Sequence, residues 1–172
     1  MMILDKLYRT ASQNRRHIVL PEGQDDRTIQ AAAILADKGL AQVTVLGRPD
    51  NVQMRCQNLG IRSDGFAVVD HLQHPKYETY AEGYFQHRRH KGTTIEEARK
   101  IIQDPLYFAN IMVRLGEAHG TVAGATNTTA HTVRSALICL GLAKGIKTVS
   151  SFFLMSLKDR SFGADGTLLL AF

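Results

Sequence analysis

Residues 120–134 combine small and hydroxyl-bearing side chains with one histidine and one arginine. They are typical of a strand, a short loop and a helix in succession. Such a connection presents backbone N–H groups and the positive end of the helix at the carboxyl edge of a sheet, where phosphate binds well. Arg134 lies about one turn into the helix, so its guanidinium can reach back toward the loop. We therefore predict an anion site that includes Thr128, Thr129 and Arg134.

The same residues also have a purely structural interpretation. Thr128 and Thr129 would cap the helix, and Arg134 would be a solvated surface residue. The spacing matches neither a Walker loop nor a dinucleotide-binding fingerprint. The charge pattern, however, is compatible with a bound anion, because residues 118–158 contain no Asp or Glu although the chain has 16 acids.

A second candidate is the basic run His-Arg-Arg-His-Lys at residues 87–91. Positive charge near a helix C-terminus interacts favourably with the helix dipole, so a solvated cap is the simpler explanation and an anionic ligand the alternative. The histidines show no close metal-ligand spacing with Cys or carboxylate, so no metal site is predicted. No Ser/His/Asp or Cys/His constellation is recognisable.

Alternating strands and helices must position these candidates. Apolar strands at 17–20, 43–46 and 66–69 are separated by helical patterns at 28–38 and 50–59. This alternation predicts a mainly parallel sheet with right-handed crossovers and helices on both faces, a three-layer α/β lobe.

The remaining elements extend this framework. Thr94 and Glu97 have capping-box spacing, and Asp104-Pro105 resembles a cap followed by a first-turn proline. Further helices are predicted at 3–11, 77–89, 94–103, 106–115 and 130–142, and further strands at 121–125, 147–157 and 167–172. The last two strands are predicted to form an antiparallel hairpin around a turn rich in glycine and aspartate.

Composition excludes several classes of protein. With 172 residues, 44% of them apolar and 22% charged, the chain is typical of a soluble globular domain. The net charge is +5, but the basic residues are mostly interleaved with acids, and aromatic residues make up 7% of the chain. No nucleic-acid partner is therefore predicted. No apolar run reaches the roughly 18 residues of a membrane helix. Cys56 and Cys139 are predicted to be free thiols, and the cytoplasm is the expected location.

The sequence stops on Leu-Leu-Leu-Ala-Phe, inside an apolar strand that is predicted to be buried. An uncovered apolar edge invites pairing with another element. We therefore expect a second lobe that is missing from this chain or supplied by a partner.

Several motifs together resemble one known family. They are residues 20–27 (LPEGQDDR), 88–94 (RRHKGTT), 104–109 (DPLYFA), 124–134 (GATNTTAHTVR) and 149–155 (VSSFFLM). In this order, and across nearly the whole chain, they resemble the phosphate acetyltransferases and the related phosphate butyryltransferases. Each motif alone is weak, but the set is specific.

The resemblance implies a two-lobed α/β enzyme, built somewhat like isocitrate dehydrogenases, that moves an acetyl group between acetyl phosphate and coenzyme A. An aspartate deprotonates the coenzyme A thiol, the thiolate attacks the acyl carbonyl, and phosphate leaves. The resemblance implies that coenzyme A is a substrate and that the enzyme has no prosthetic group. It also implies that the protein forms a homodimer. Arg88 and Arg134 fall where family arginines linked to coenzyme A binding fall, and with Thr128 and Thr129 they form the predicted coenzyme A-binding set.

The chain also departs from the family pattern. Asn127 stands where a His is usual, His131 where an Asp is usual, and Ser135 where a Pro is common. The family's Ser-Arg pair and its aspartate base belong to the second lobe, so no catalytic residue is predicted within residues 1–172. The alternative function is a non-catalytic module or truncated subunit that binds acyl-CoA or acyl phosphate.

Overall fold

The computed structural model describes residues 3–171. Its helices are α1 (Ile3–Gln13), α2 (Asp26–Asp37), α3 (Pro49–Asn58), α4 (Tyr77–Arg88), α5 (Ile95–Ile101), α6 (Pro105–Arg114) and α7 (Thr129–Cys139). Its strands are β1 (Arg16–Leu20), β2 (Ala41–Leu46), β3 (Ala67–Val69), β4 (Gly120–Thr121), β5 (Phe152–Ser156) and β6 (Thr167–Ala171). The chain divides into two compact units, one spanning Arg15–Gly141 and the other combining the residues up to Asn14 with those from Leu142 onward.

The larger unit contains a parallel four-stranded sheet with the order β3-β2-β1-β4. β1 lies between β2 and β4, and Ile18 is in register with Val43 on one side and Gly120 on the other. Because the strands are parallel, the loops that follow β1 and β4 meet at the carboxyl edge of the sheet.

Helices cover both faces of this sheet. On one face, α2 and α3 contribute Ile29, Val52 and Cys56 to a core that includes Val43 and Val45 of β2. On the other face, α4 to α7 build a core with Val19 and Leu46, to which they contribute Tyr80, Ala98, Phe108 and Cys139. The prediction of a mainly parallel, three-layer α/β lobe is confirmed.

Local capping signals decide where two of the helices begin. The Thr94 hydroxyl accepts from the Glu97 amide at 3.2 Å, and the Glu97 carboxylate accepts from the Thr94 amide at 2.8 Å. Asp104 accepts from the Leu106 amide at 2.8 Å, with Pro105 as the first residue of α6. Both starts agree with the sequence prediction, because these interactions lie within one helical turn.

Three predicted elements have a boundary that is wrong by three residues or more. The strand expected at 121–125 ends at Thr121, because the backbone beyond it turns toward a buried side chain described below. The helix expected to reach residue 142 ends at Cys139, and Gly141 follows with a φ of 79°. The strand expected at 147–157 contains only residues 152–156, for which β6 supplies partners.

In the smaller unit, β5 and β6 form the predicted antiparallel hairpin, from Phe152 opposite Ala171 to Ser156 opposite Thr167. Phe172, predicted as the last residue of this hairpin, lies outside the described residues. The expectation that the last strand is buried is wrong for this chain, since Leu169 and Leu170 on β6 are 63% and 51% exposed. A continuous apolar run predicts burial only where layers cover both faces.

Both cysteines are free, as predicted, and the structure shows that both are buried. No helix within residues 3–171 is long and apolar enough to span a membrane.

Candidate functional site

A buried carboxylate occupies the loop between β4 and α7. Glu22 follows β1 and Pro21 and is 1% exposed. Its Oε2 accepts from the amides of Gly124 at 2.9 Å and Ala125 at 2.8 Å. Its Oε1 accepts from the amides of Thr126 and Asn127, both at 2.9 Å. The Thr126 hydroxyl at 3.1 Å and the Asn127 side-chain amide at 2.9 Å complete the shell. We call Glu22 with residues 124–127 the carboxylate cradle.

The sheet order explains why the cradle forms. β1 and β4 are neighbours, so the segment after each strand arrives at the same place. Gly124 has a φ of 110°, a conformation that other residues rarely adopt. This turn directs four successive N–H groups to one point, a concave arrangement that favours an anion.

Hydrogen bonding keeps Glu22 ionised. Burial by itself raises the pKa of a carboxylate, but the hydrogen bonds donated by Thr126, Ala125 and Asn127 outweigh burial and lower the pKa of Glu22 to about 2. The cradle therefore holds a full negative charge over almost the entire pH range in which proteins are studied.

The cradle corrects one sequence expectation. The connection between strand and helix was expected to present unpaired N–H groups to a phosphate, but Glu22 already accepts from the amides of residues 124–127. The lack of acids in residues 118–158 was the available signal for an anion in this region. It did not reveal that the anion comes from the chain itself, about 100 residues earlier.

A chain of polar contacts connects the cradle to α7 and α6. Asn127 Oδ1 lies 3.2 Å from His131 Nδ1, and His131 Nε2 lies 2.9 Å from Asp104 Oδ2. Asp104 also caps α6 through the Leu106 amide. Asn127 and His131, two of the residues that depart from the family pattern, thus connect the loop at 124–127 with α7 and α6.

The third departing residue, Ser135, is buried between the same helices. Its hydroxyl accepts from Asn110 Nδ2 at 3.1 Å and donates to the Thr132 carbonyl at 2.9 Å. Asn110 Oδ1 in turn accepts from the Thr121 hydroxyl at 3.0 Å. These bonds join α6, α7 and β4.

The predicted coenzyme A-binding residues lie on α4 and at the start of α7. Thr128 caps α7, its hydroxyl accepting from the His131 amide at 3.2 Å, and Thr129 is the first, exposed residue of the helix. Arg134 is exposed on α7, whereas Arg88 is the last residue of α4 and is half-buried. The structural interpretation of Thr128 as a cap and the ligand interpretation are compatible, because a capping hydroxyl still has a proton to donate.

Tyr107 is a point at which the charges of both arginines act. Burial raises the pKa of the Tyr107 phenol, while the nearby guanidinium groups of Arg134 and Arg88 both oppose that shift. The Tyr107 ring lies 6.2 Å from both the Tyr84 and the His131 rings, measured between centroids. We call Arg88, Tyr107 and Arg134 the arginine corner.

Positive charge in the arginine corner is not balanced by a direct acidic partner. Among residues 3–171, neither Arg88 nor Arg134 has a carboxylate within 4.0 Å, although five other arginines do. In addition, the buried Nε of Arg88 has no hydrogen-bond partner in that range. A buried donor without a partner is rare in folded proteins and is costly unless a ligand satisfies it.

The rest of the basic run has other roles. His87 Nε2 lies 3.0 Å from the Ile138 carbonyl and so joins α4 to α7. Burial, followed by the charge of Arg114, lowers the pKa of His87. Arg89, His90 and Lys91 are exposed in a short 3-10 turn that ends at Gly92. Within residues 3–171, no group of three or more His, Cys, Asp or Glu side chains could hold a metal ion.

Comparison with known proteins gives one consistent family. A family model described as "Phosphate acetyl/butaryl transferase" matches residues 2–171. The phosphate acetyltransferase of Acetivibrio thermocellus is 40% identical over 171 residues, covering 99% of this chain and 51% of that protein. That of Nitratidesulfovibrio vulgaris is 43% identical over 154 residues, covering 90% of this chain and 22% of that protein.

Solved structures agree. A phosphotransacetylase from Streptococcus pyogenes superposes with a TM-score of 0.87 at 28% identity, covering 98% of this chain and 51% of that one. The EutD phosphotransacetylase from Staphylococcus aureus gives a TM-score of 0.84 at 28% identity, with 96% and 48% covered. The chain thus spans about half the length of these structures, and the resemblance seen in its motifs is confirmed. This chain belongs to the phosphate acetyl/butyryl transferase family.

Proposed function

We propose that this chain provides part of the coenzyme A cleft of a phosphate acetyltransferase, as the N-terminal lobe of a two-lobed enzyme. The acetyl group would move between acetyl phosphate and coenzyme A. Arg88 and Arg134 would hold phosphate groups of coenzyme A, with the Thr128 and Thr129 hydroxyls as further donors. The observation that carries this proposal is the arginine corner, where the charges of two guanidinium groups act on the same Tyr107 phenol and neither group has a direct carboxylate partner among residues 3–171.

Arginine suits this role chemically. Its planar guanidinium stays charged and donates paired hydrogen bonds to phosphate oxygens, which are stronger than bonds between neutral groups. Holding coenzyme A by its phosphates would orient the thiol, while the base and the groups that stabilise the leaving phosphate would come from the second lobe.

The remaining expectations follow from this proposal. We propose a homodimer acting in the cytoplasm, where a reducing environment suits two buried free thiols. Coenzyme A and acetyl phosphate are the proposed substrates. The same arginine corner would also serve a non-catalytic module that only binds acyl-CoA or acyl phosphate.

Calorimetric titration of the 172-residue chain with coenzyme A tests the binding role. We expect Arg134→Ala and Arg88→Ala each to raise the Kd by roughly tenfold or more, the effect of losing one charge-assisted hydrogen bond. Arg62→Ala is the matched control, since Arg62 pairs with Asp64 just before β3 at the opposite edge of the sheet. Wild-type affinity in both corner variants would refute the assignment.

An activity assay separates the two functions. Acetyl-CoA formation from acetyl phosphate would be measured for this chain and for the longest natural form of the protein. Turnover in either form, with a raised KM for coenzyme A in Arg134→Ala, supports the transferase. Tight coenzyme A binding without turnover in either form supports the binding module.

A further inference from the structure

The carboxylate cradle is closed to outside ligands, so its role must lie elsewhere. A carboxylate has about four lone-pair positions, and Glu22 receives six donated hydrogen bonds, five of them at 2.8–2.9 Å. Its side chain is 1% exposed, which leaves no room for a substrate to approach. All six bonds come from a loop that immediately precedes α7.

Contacts beyond the cradle connect Glu22 to the first turn of α7. Asn127 donates to Glu22 through Nδ2, which turns its Oδ1 toward His131. His131 Nε2 in turn meets Asp104 on α6. Both ring nitrogens of His131 therefore face oxygen atoms of neighbouring side chains. The first turn of α7 is thereby held from the loop side by Glu22 and from the α6 side by Asp104.

Arg134 lies one turn further along the same helix. A rise of about 1.5 Å per residue places its Cα roughly 4.5 Å beyond that of His131 along the helix axis. Any shift or rotation of the first turn of α7 would move the Arg134 guanidinium relative to Arg88, which α4 carries independently.

We propose that Glu22 is a positioning residue for coenzyme A binding: it fixes the loop at 124–127 and the first turn of α7, and thereby sets the location of the Arg134 guanidinium. This inference rests on the proposed role of Arg134. It assigns no contact with substrate to Glu22.

The Glu22→Gln variant isolates this role because the two side chains have nearly the same shape. The new amide nitrogen would be a donor facing donors, so at least two of the six bonds would be lost. Asp26→Asn is the matched control, because it also replaces a carboxylate by an amide, four residues later in the chain. The Asp26 carboxylate is exposed, and within residues 3–171 its one ion-pair partner is Arg55.

Amide hydrogen exchange tests the local effect without any ligand. In Glu22→Gln we expect at least tenfold faster exchange at residues 124–127 and in the first turn of α7, with β1 and β2 unchanged. Asp26→Asn should exchange like wild type at residues 124–127. Wild-type exchange there in Glu22→Gln would overturn the proposal. Should Glu22→Gln fail to fold, Asn127→Ala tests the same path, because it removes one of the six bonds and the contact with His131.

A double-mutant cycle tests whether the effect passes through Arg134. We expect Glu22→Gln to raise the Kd for coenzyme A about tenfold in the wild-type and Arg88→Ala backgrounds, and by less than twofold in the Arg134→Ala background. An equal factor in all three backgrounds, or no effect of Glu22→Gln, would overturn the positioning role. If Arg134→Ala itself leaves the Kd unchanged, the proposed function of Arg134 fails, and hydrogen exchange alone decides what Glu22 positions.

Discussion

The carboxylate cradle and the arginine corner are both connected to α7, yet their charges are arranged in opposite ways. In the cradle, one negative group receives six hydrogen bonds from its own chain. In the corner, two positive groups lack a carboxylate within ion-pair distance in the described part of the chain, and one buried N–H is unpaired. A charge that is already satisfied holds structure together, whereas an unsatisfied charge is available to a ligand.

This comparison predicts opposite consequences of mutation. Changes in the cradle should reduce stability and affect binding only through geometry. Changes in the corner should reduce binding and leave stability nearly unchanged. The following measurements test these expectations, beginning with the largest effect.

Acid should weaken the cradle strongly. The folded-state pKa of Glu22 is about 2, below its ordinary value of 4.5, so its stabilisation is present above pH 4.5 and is lost as the pH falls toward 2. A shift of this size corresponds to about 3 kcal/mol. Denaturant unfolding at several pH values should therefore show wild type and Glu22→Gln converging in stability as the pH falls. A stability difference that stays constant from pH 6 to pH 2.5 would contradict a charge-dependent cradle.

Removing charge from the corner should change affinity rather than stability. Arg134→Ala should weaken coenzyme A binding roughly tenfold, about 1.4 kcal/mol, and change the unfolding free energy by less than about 0.5 kcal/mol, because Arg134 is exposed and has no direct ion pair within residues 3–171. Calorimetry and denaturant unfolding of the same preparation check both numbers. A loss of stability larger than 1 kcal/mol would show that the corner is structural as well.

The helix cap between the two regions should have an intermediate effect. Thr128→Ala removes the acceptor for the His131 amide and should cost about 1 kcal/mol of unfolding free energy. Thr129→Ala, one residue later on the exposed first turn, is the control and should change stability by less than about 0.5 kcal/mol. Equal losses in the two variants would mean that the cap is not the stabilising contact.

An exposed ion pair near the cradle should matter least. Asp26 and Arg55 are 2.7 Å apart, with side chains 50% and 38% exposed. Exposed pairs of this kind contribute about 0–1 kcal/mol, so Arg55→Ala should lower stability by no more than that, and the loss should diminish in 0.5 M salt. A loss of stability larger than this and independent of salt would contradict the comparison, because it would show that an exposed ion pair stabilises this region as strongly as a buried charge.

Much of the fold was predictable because its signals are local. The capping box at Thr94 and Glu97, and the cap at Asp104, depend on residues three positions apart or fewer. The apolar strands that alternate with helices predicted the parallel three-layer lobe, because this alternation is also visible within short stretches of sequence. The motifs also identified the family, since their order along the chain is a property of the sequence.

The predictions of strand ends and of the anion site were wrong where a residue distant in sequence forms hydrogen bonds with the backbone N–H groups. Residues 122–125 have the composition of a strand, but the amides of Gly124 and Ala125 bond to Glu22 instead of extending the sheet. Similarly, the loop before α7 was predicted to present unpaired N–H groups to an external anion. No local pattern shows that a carboxylate 102 to 105 residues earlier will reach them.

By itself, the sequence determined the types of the main helices and strands, the alternation that makes the sheet parallel, and the family to which the chain belongs. Only the tertiary structure decided which anion occupies the loop before α7 and that the charges of Arg88 and Arg134 both act on Tyr107. The physical reason is range: hydrophobic periodicity and helix capping act over a few residues. Charge satisfaction, in contrast, depends on groups that are brought together only when β1 and β4 pair side by side.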